Sequence, residues 1–357
     1  MKSRRVALLL LASLGLASAW CHAGDPVCVS NEAELRQALT DAAAGLTDEI
    51  RLMEGTYFTG GQLFSYDTPS AHNLSISGGW YYDHDPCDFQ HQHADGTILD
   101  GQNVTAILSI SNSGNVPGTT LSISNLTLRN GATSTNNQAA ALSVFGTLGQ
   151  DLRIQNVVVL SSHNTRMPPL TIFTNVVTMY AYANVYFINN VIGDCSSNYA
   201  NLAIFTDTAA QTVYMSNNTL SINGAGYGAL LDANNGTKFR LVNNAINGAI
   251  NFNSRNGGDP IQLWMYSDLG FWNYSSIVTA PLIQADVGND QNLDPRFMGA
   301  LNFRPAPGSP LVNRGLNAPL GGSSSYDLDA NARVDLGFID VGAYESTHER
   351  IFANGFN

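Results

Sequence analysis

Five short segments along the middle of the chain end in the same residue. Leu121-Ser-Ile-Ser-Asn125, Leu152-Arg-Ile-Gln-Asn156, Val185-Tyr-Phe-Ile-Asn189, Val213-Tyr-Met-Ser-Asn217 and Phe239-Arg-Leu-Val-Asn243 carry apolar residues at the first and third places and asparagine at the fifth. Their starts advance by 31, 33, 28 and 26 residues, within the range of solenoid repeats. A second short run precedes most of them, as in Ala141-Leu-Ser-Val-Phe145, Leu170-Thr-Ile-Phe173, Leu202-Ala-Ile-Phe205 and Ala229-Leu-Leu231. Period-two alternation turns one face of each strand inward. One turn of chain cannot bury that face, but stacked turns can, pairing each strand in parallel with its copy in the next turn. Asn125, Asn156, Asn189, Asn217 and Asn243 suit a corner, because asparagine tolerates the left-handed region and bonds nearby backbone. Stacked copies are expected to form an Asn ladder along the axis. The implied fold is all-β, a single-stranded right-handed parallel β-helix, or solenoid. A leucine-rich repeat needs a helix-like segment that is missing here, and a propeller blade needs about 40–45 residues.

The first 23 residues read as a Sec signal peptide. Lys2, Arg4 and Arg5 form a basic start, residues 6–16 an apolar run too short to span a bilayer, and two small-x-small sites allow cleavage after Ala19 or Ala23. No other stretch is long and apolar enough for a transmembrane segment, so the expected product is secreted or held at the cell surface. Net charge is −12, and Lys238 is the only lysine after Lys2. That balance disfavours nucleic acid and anionic membrane surfaces as partners.

Residues 30–45 form the one helical pattern. Asn31 and Glu34 match a capping box, Leu35, Ala38, Leu39 and Ala42 fall at helical spacing, and Gly45 is a C-terminal stop. This helix is expected to cap the solenoid. Cys28 and Cys87 sit at either edge of the cap, and in an oxidising compartment they are expected to form a disulfide. The chain therefore divides into a leader (1–23), a cap with the first turns (24–100), the repeats (101–290), a closing segment (291–346) and a tail (347–357).

The two ends carry further motifs. Cys28-Val-Ser-Asn-Glu-Ala-Glu-Leu35 leads to Glu54-Gly-Thr-Tyr57, Ile76-Ser-Gly-Gly-Trp80 and Thr97-Ile-Leu-Asp-Gly101. Later come Asp294-Pro-Arg-Phe297, Pro307-Gly-Ser-Pro310, Leu311-Val-Asn-Arg-Gly315, Asp329-Ala-Asn-Ala-Arg333 and Asp340-Val-Gly-Ala-Tyr-Glu345. Together they resemble the choice-of-anchor Q proteins, exported pectate-lyase-like β-helices, over most of residues 28–345. Ala330 departs from the glycine usual there. The resemblance implies fold far more than activity, since the family is uneven in function. The tail is similar to short C-terminal tails of other exported proteins, where a sorting or processing role is one reading and a frayed terminus the other.

Pectate-lyase-like folds often cleave acidic polysaccharides, with a calcium held by clustered carboxylates and a Lys or Arg base. Between Leu121 and Gly258 there is no glutamate, and Asp151, Asp194, Asp207 and Asp232 occupy unmatched places in their repeats. No carboxylate pair is implied. His163 and Arg166 remain the candidates for a base or substrate clamp, on what otherwise reads as a solvated loop. His84, His91 and His93 crowd one loop with Asp83, Asp85 and Asp88, a set that can bind zinc or copper or serve as a polar loop pinned by the disulfide. Asp327, Asp329, Arg333, Asp335, Asp340 and Glu345 are expected to pair and bond backbone while closing the last turn. Trp264, Tyr266, Phe271, Trp272 and Tyr274 either stack on sugars or fill an end of the solenoid.

The favoured function is non-catalytic binding of a glycan or other cell-surface partner by a monomer that uses no cofactor. The alternative is a polysaccharide lyase or glycoside hydrolase, and calcium enters as a cofactor only if the lyase alternative holds.

Overall fold

The computed structural model describes residues 24–346 except 71, 166–173, 209–210, 223–225, 235, 255–258, 278–280, 292 and 335–336. The leader, Arg166 and the tail therefore lie outside the described residues. The fold is a parallel β-helix with one helix at its N-terminal end.

Each full turn contributes three strands, and each joins its copies above and below. Leu108–Asn112, Leu142–Phe145, Asn175–Ala181, Ala200–Thr206 and Tyr227–Ala233 form one ladder. A second ladder starts at Val27–Val29 and Glu49–Met53, passes through the five repeat segments, and ends at Gln262–Tyr266 and Leu282–Val287. A third lies beyond the asparagine corner, where residues 157–160 pair with 126–129 and 191–193. Register is strict where it matters. Ile50, Ile76, Ile123, Ile154, Phe187, Met215, Leu241 and Met265 stand over one another, and all are buried. A slip of one residue would turn every one of them to solvent.

The helix Glu32–Ala43 closes the N-terminal end. Asn31 accepts from the Glu34 N–H at 3.0 Å, and Glu34 in return accepts from the Ser30 N–H. Leu35, Ala38, Leu39 and Ala42 are buried against the first rungs. Arg36 ties the helix down by donating to the carbonyls of Thr59, Gln62 and Leu63. Cys28 and Cys87 are disulfide-bonded, with Cα atoms 5.7 Å apart. The thiol left over among the described residues is Cys195, fully buried and pushed up to about 12 by desolvation.

The C-terminal segment departs from expectation. It does not close the last turn. It folds back along the asparagine corner of the middle turns, and the last rung, Leu282–Val287, stays exposed. Phe303 packs on Gly193, where a Cβ would lie 2.0 Å from its ring. Phe303 shares a buried cluster with Val158, Val191, Leu328, Ala343 and Tyr344. Further along, the Gly342 N–H donates to the Asn243 carbonyl and the Ala343 N–H to Thr219 Oγ1.

Candidate functional site

The five repeat asparagines all lie in the left-handed region, with φ between 55° and 60°, so the corner is built as the sequence implied. Their side chains do not form one continuous ladder. Asn189 Nδ2 donates to Asn156 Oδ1 at 2.7 Å. Asn125 instead donates to the Gly78 and His91 carbonyls, Asn217 to the Asp340 carbonyl and Asn243 to the Leu316 carbonyl. They point outward and hold other segments. The continuous ladder is one residue on. Asn190, Asn218 and Asn244 each donate to the next amide or carboxyl, ending on Asp268, at 3.1, 2.8 and 2.8 Å. Each acceptor oxygen also takes the backbone N–H of the residue before it in the ladder. Burial pushes the Asp268 carboxyl up to about 7.

At Asn189, Asn217 and Asn243 the corner is occupied by the C-terminal segment. Arg333, fully buried, donates to Glu345 Oε1, Asn189 Oδ1 and the Gly342 carbonyl, each at 2.6 Å. Asp327 accepts from the backbone of Asp329, Asn331 and Glu345, and Asp340 from Asn313 and Ser346. Burial pushes the Glu345 carboxyl upward against the pull of Arg333.

Two aromatic stripes run up the outside. On the second ladder Arg153, Tyr186, Tyr214, Arg240 and Trp264 share one register position. Arg153 sits 3.9 Å from the Tyr186 ring centre, Tyr186 and Tyr214 stack at 5.0 Å, and Arg240 lies 4.9 Å from Trp264. Tyr186 and Tyr214 are thus faced by a neighbour on both sides, and their edges, not their faces, meet solvent. Trp264 joins this stripe rather than filling an end of the solenoid; the side chains of Phe271, Trp272 and Tyr274 lie outside the described residues.

On the first ladder Phe145, Tyr180 and Phe205 stack at 4.7 and 4.6 Å. Here the stack stops. The residue in register below Phe145 is Ser111, and its small side chain leaves the other face of the ring to a groove of about 360 Å³ lined by Ser111, Asn112, Ser113, Phe145, Thr147 and Tyr182 among others. Asn112 is 4% exposed; its Oδ1 takes the Gly114 N–H, and its Nδ2 has no hydrogen-bond partner among the described residues. A half-buried aromatic ring beside hydroxyls is the chemistry that holds a sugar ring: C–H groups meet the aromatic face and hydroxyls meet the polar rim. None of the described lining residues is charged.

The remaining candidates separate. His163 lies in a short strand pairing with Ala132–Thr133 and with residues 196–197, and its Nδ1 is 2.9 Å from Ser196 Oγ. It is a strand residue rather than part of an open loop, and Arg166 is not described. His84 sits with Asp83 and Asp88 on an exposed turn, while His91 and His93 meet Glu54, so the three histidines do not form one set. No matching protein-family model, curated protein or solved structure was found for this chain.

Proposed function

We propose that this is an exported β-helix protein that binds a neutral glycan without cleaving it, through the groove at Phe145. The observation that carries this is the Phe145 ring, stacked by Tyr180 on one face and left on the other to line a groove with Ser111, Ser113 and Thr147. The absence of charge in the lining argues for neutral sugars over uronates, whose carboxylates call for a cation. The resemblance to exported choice-of-anchor Q proteins and the leader-like start supply the compartment.

The test is a glycan array with the mature protein, followed by titration of the best ligand. Phe145→Ala should weaken binding about tenfold, the ~1.4 kcal/mol scale of an aromatic contact. Arg153→Ala, on the filled stripe, should leave binding unchanged. Polygalacturonate and alginate with calcium should yield no unsaturated products. Product release by the wild-type protein would replace this reading with a lyase, and binding that ignores Phe145→Ala would move the site elsewhere.

A further inference from the structure

We propose that Glu54, His91 and His93 form a binding site for one zinc-class divalent cation on the flank of the N-terminal turns. Their ligand atoms all lie within 4.8 Å of one another. Glu54 Oε1 is 2.5 Å from His91 Nδ1 and 3.8 Å from His93 Nε2. A tetrahedral ion with bonds of about 2.0–2.2 Å wants ligand atoms roughly 3.3 Å apart. The ion would take the place of the proton between His91 and Glu54, with side-chain movements of about an ångström.

Local structure already holds the ligands. The strand Leu74–Tyr81 turns back on Phe89–Gln90, which delivers the His-x-His segment beside Glu54. Residues two apart in extended chain project to one side, and the two rings stack at 5.0 Å. Tyr81 stacks on the other face of His91 at 4.3 Å. The His91 N–H donates to the Gly79 carbonyl, and Asn125 reaches from the corner of a neighbouring turn to the His91 carbonyl. Gly96 leaves the space that Glu54 needs, since a Cβ there would lie 2.8 Å from Glu54 Oε1. Asp95 supplies an outer partner: its carboxylate is 2.5 Å from His93 Nδ1, so it can accept from an Nδ1–H and leave Nε2 for the ion, the arrangement that orients metal-bound imidazoles.

Two imidazoles and one carboxylate suit zinc or its neighbours and not calcium, which takes six to eight oxygens. Three protein ligands leave a fourth place for water. The bound ion would join Glu54, beyond the second-ladder strand Glu49–Met53, to the loop that the Cys28–Cys87 disulfide also secures.

Titration calorimetry of the mature wild-type protein with zinc chloride should give one equivalent bound, and calcium chloride none. His93→Ala and Glu54→Gln should abolish that equivalent, and Asp95→Asn should weaken it about 10- to 100-fold. His84→Ala, on the separate exposed turn, should not change it. On wild-type protein alone, zinc should protect His91 and His93 but not His84 from diethyl pyrocarbonate, mapped by mass spectrometry. Absence of a stoichiometric zinc ion, binding that survives His93→Ala, or protection at His84 in place of His91 and His93 would overturn the proposal.

Discussion

The two ends of the solenoid solve the same problem differently. A stack of parallel strands ends in an open rung whose inner residues have nothing above them. At the N-terminus an amphipathic helix covers that rung, with Leu35, Ala38, Leu39 and Ala42 buried and the disulfide bracing its edge. At the C-terminus the rung Leu282–Val287 shows Leu282, Ile283 and Val287 about half exposed, although Ile283 stands in register with fully buried Leu263. Among the described residues that follow there is no helix to lay there. They include Arg333, Asp327, Asp340 and Glu345 instead, and such groups need the corner's amides and carbonyls more than they need an apolar rung. A polar clasp goes where its hydrogen-bond partners are.

That contrast can be broken at several points. Arg333→Met should have the largest effect, about 3–5 kcal/mol of lost stability, because it leaves the Glu345 carboxylate buried and unpaired. Urea unfolding would read it, and a loss under 1 kcal/mol would mean the clasp is peripheral. Leu39→Ala at the capped end should cost about 2–5 kcal/mol.

Asp268→Asn tests the inner ladder. Burial pushes the folded carboxyl up to about 7, well above the ordinary aspartate range, so the folded state holds the proton more tightly than the unfolded chain. Wild-type stability should fall as pH rises from about 4 to about 7 and level off above that. The asparagine variant, which keeps an acceptor for Asn244, should show a shallower slope, the part that Glu345 contributes, and gain roughly 1–4 kcal/mol at pH 8. Parallel stability curves for the two proteins would refute the assignment. Smallest of all, Ile283→Ser should change stability by less than about 0.5 kcal/mol. Equal losses for Leu39→Ala and Ile283→Ser would erase the difference between the ends.

The repeat was legible because its physics is local. An apolar-x-apolar strand followed by a residue that tolerates positive φ specifies a turn, and copies of it specify a stack. The ladder was misplaced by one residue for an equally physical reason. The corner asparagine spends its backbone on the left-handed bend and points its side chain out, so the residue after it points in. The doubled Asn189-Asn190, Asn217-Asn218 and Asn243-Asn244 carried that signal, against Asn125-Leu126 and Asn156-Val157, where the ladder has not yet begun. The groove left no such trace. Phe145 and Ser111 are 34 residues apart, and only the register of adjacent turns places a small residue beneath an aromatic one.

The histidine cluster followed the same rule. Composition drew His84, His91 and His93 together, but the hairpin turned His84 away and brought in Glu54 from the preceding turn. By itself the sequence determined the strand period, the corner, the capping helix and the cysteines able to pair, since each depends on residues near in the chain or on their repetition. Tertiary structure alone decided which face of each corner asparagine was used, where the C-terminal segment docked, and which ring face stayed open. Those outcomes depend on what stands one turn away along the axis, a distance of about 4.8 Å in space that the loops between strands make variable in sequence.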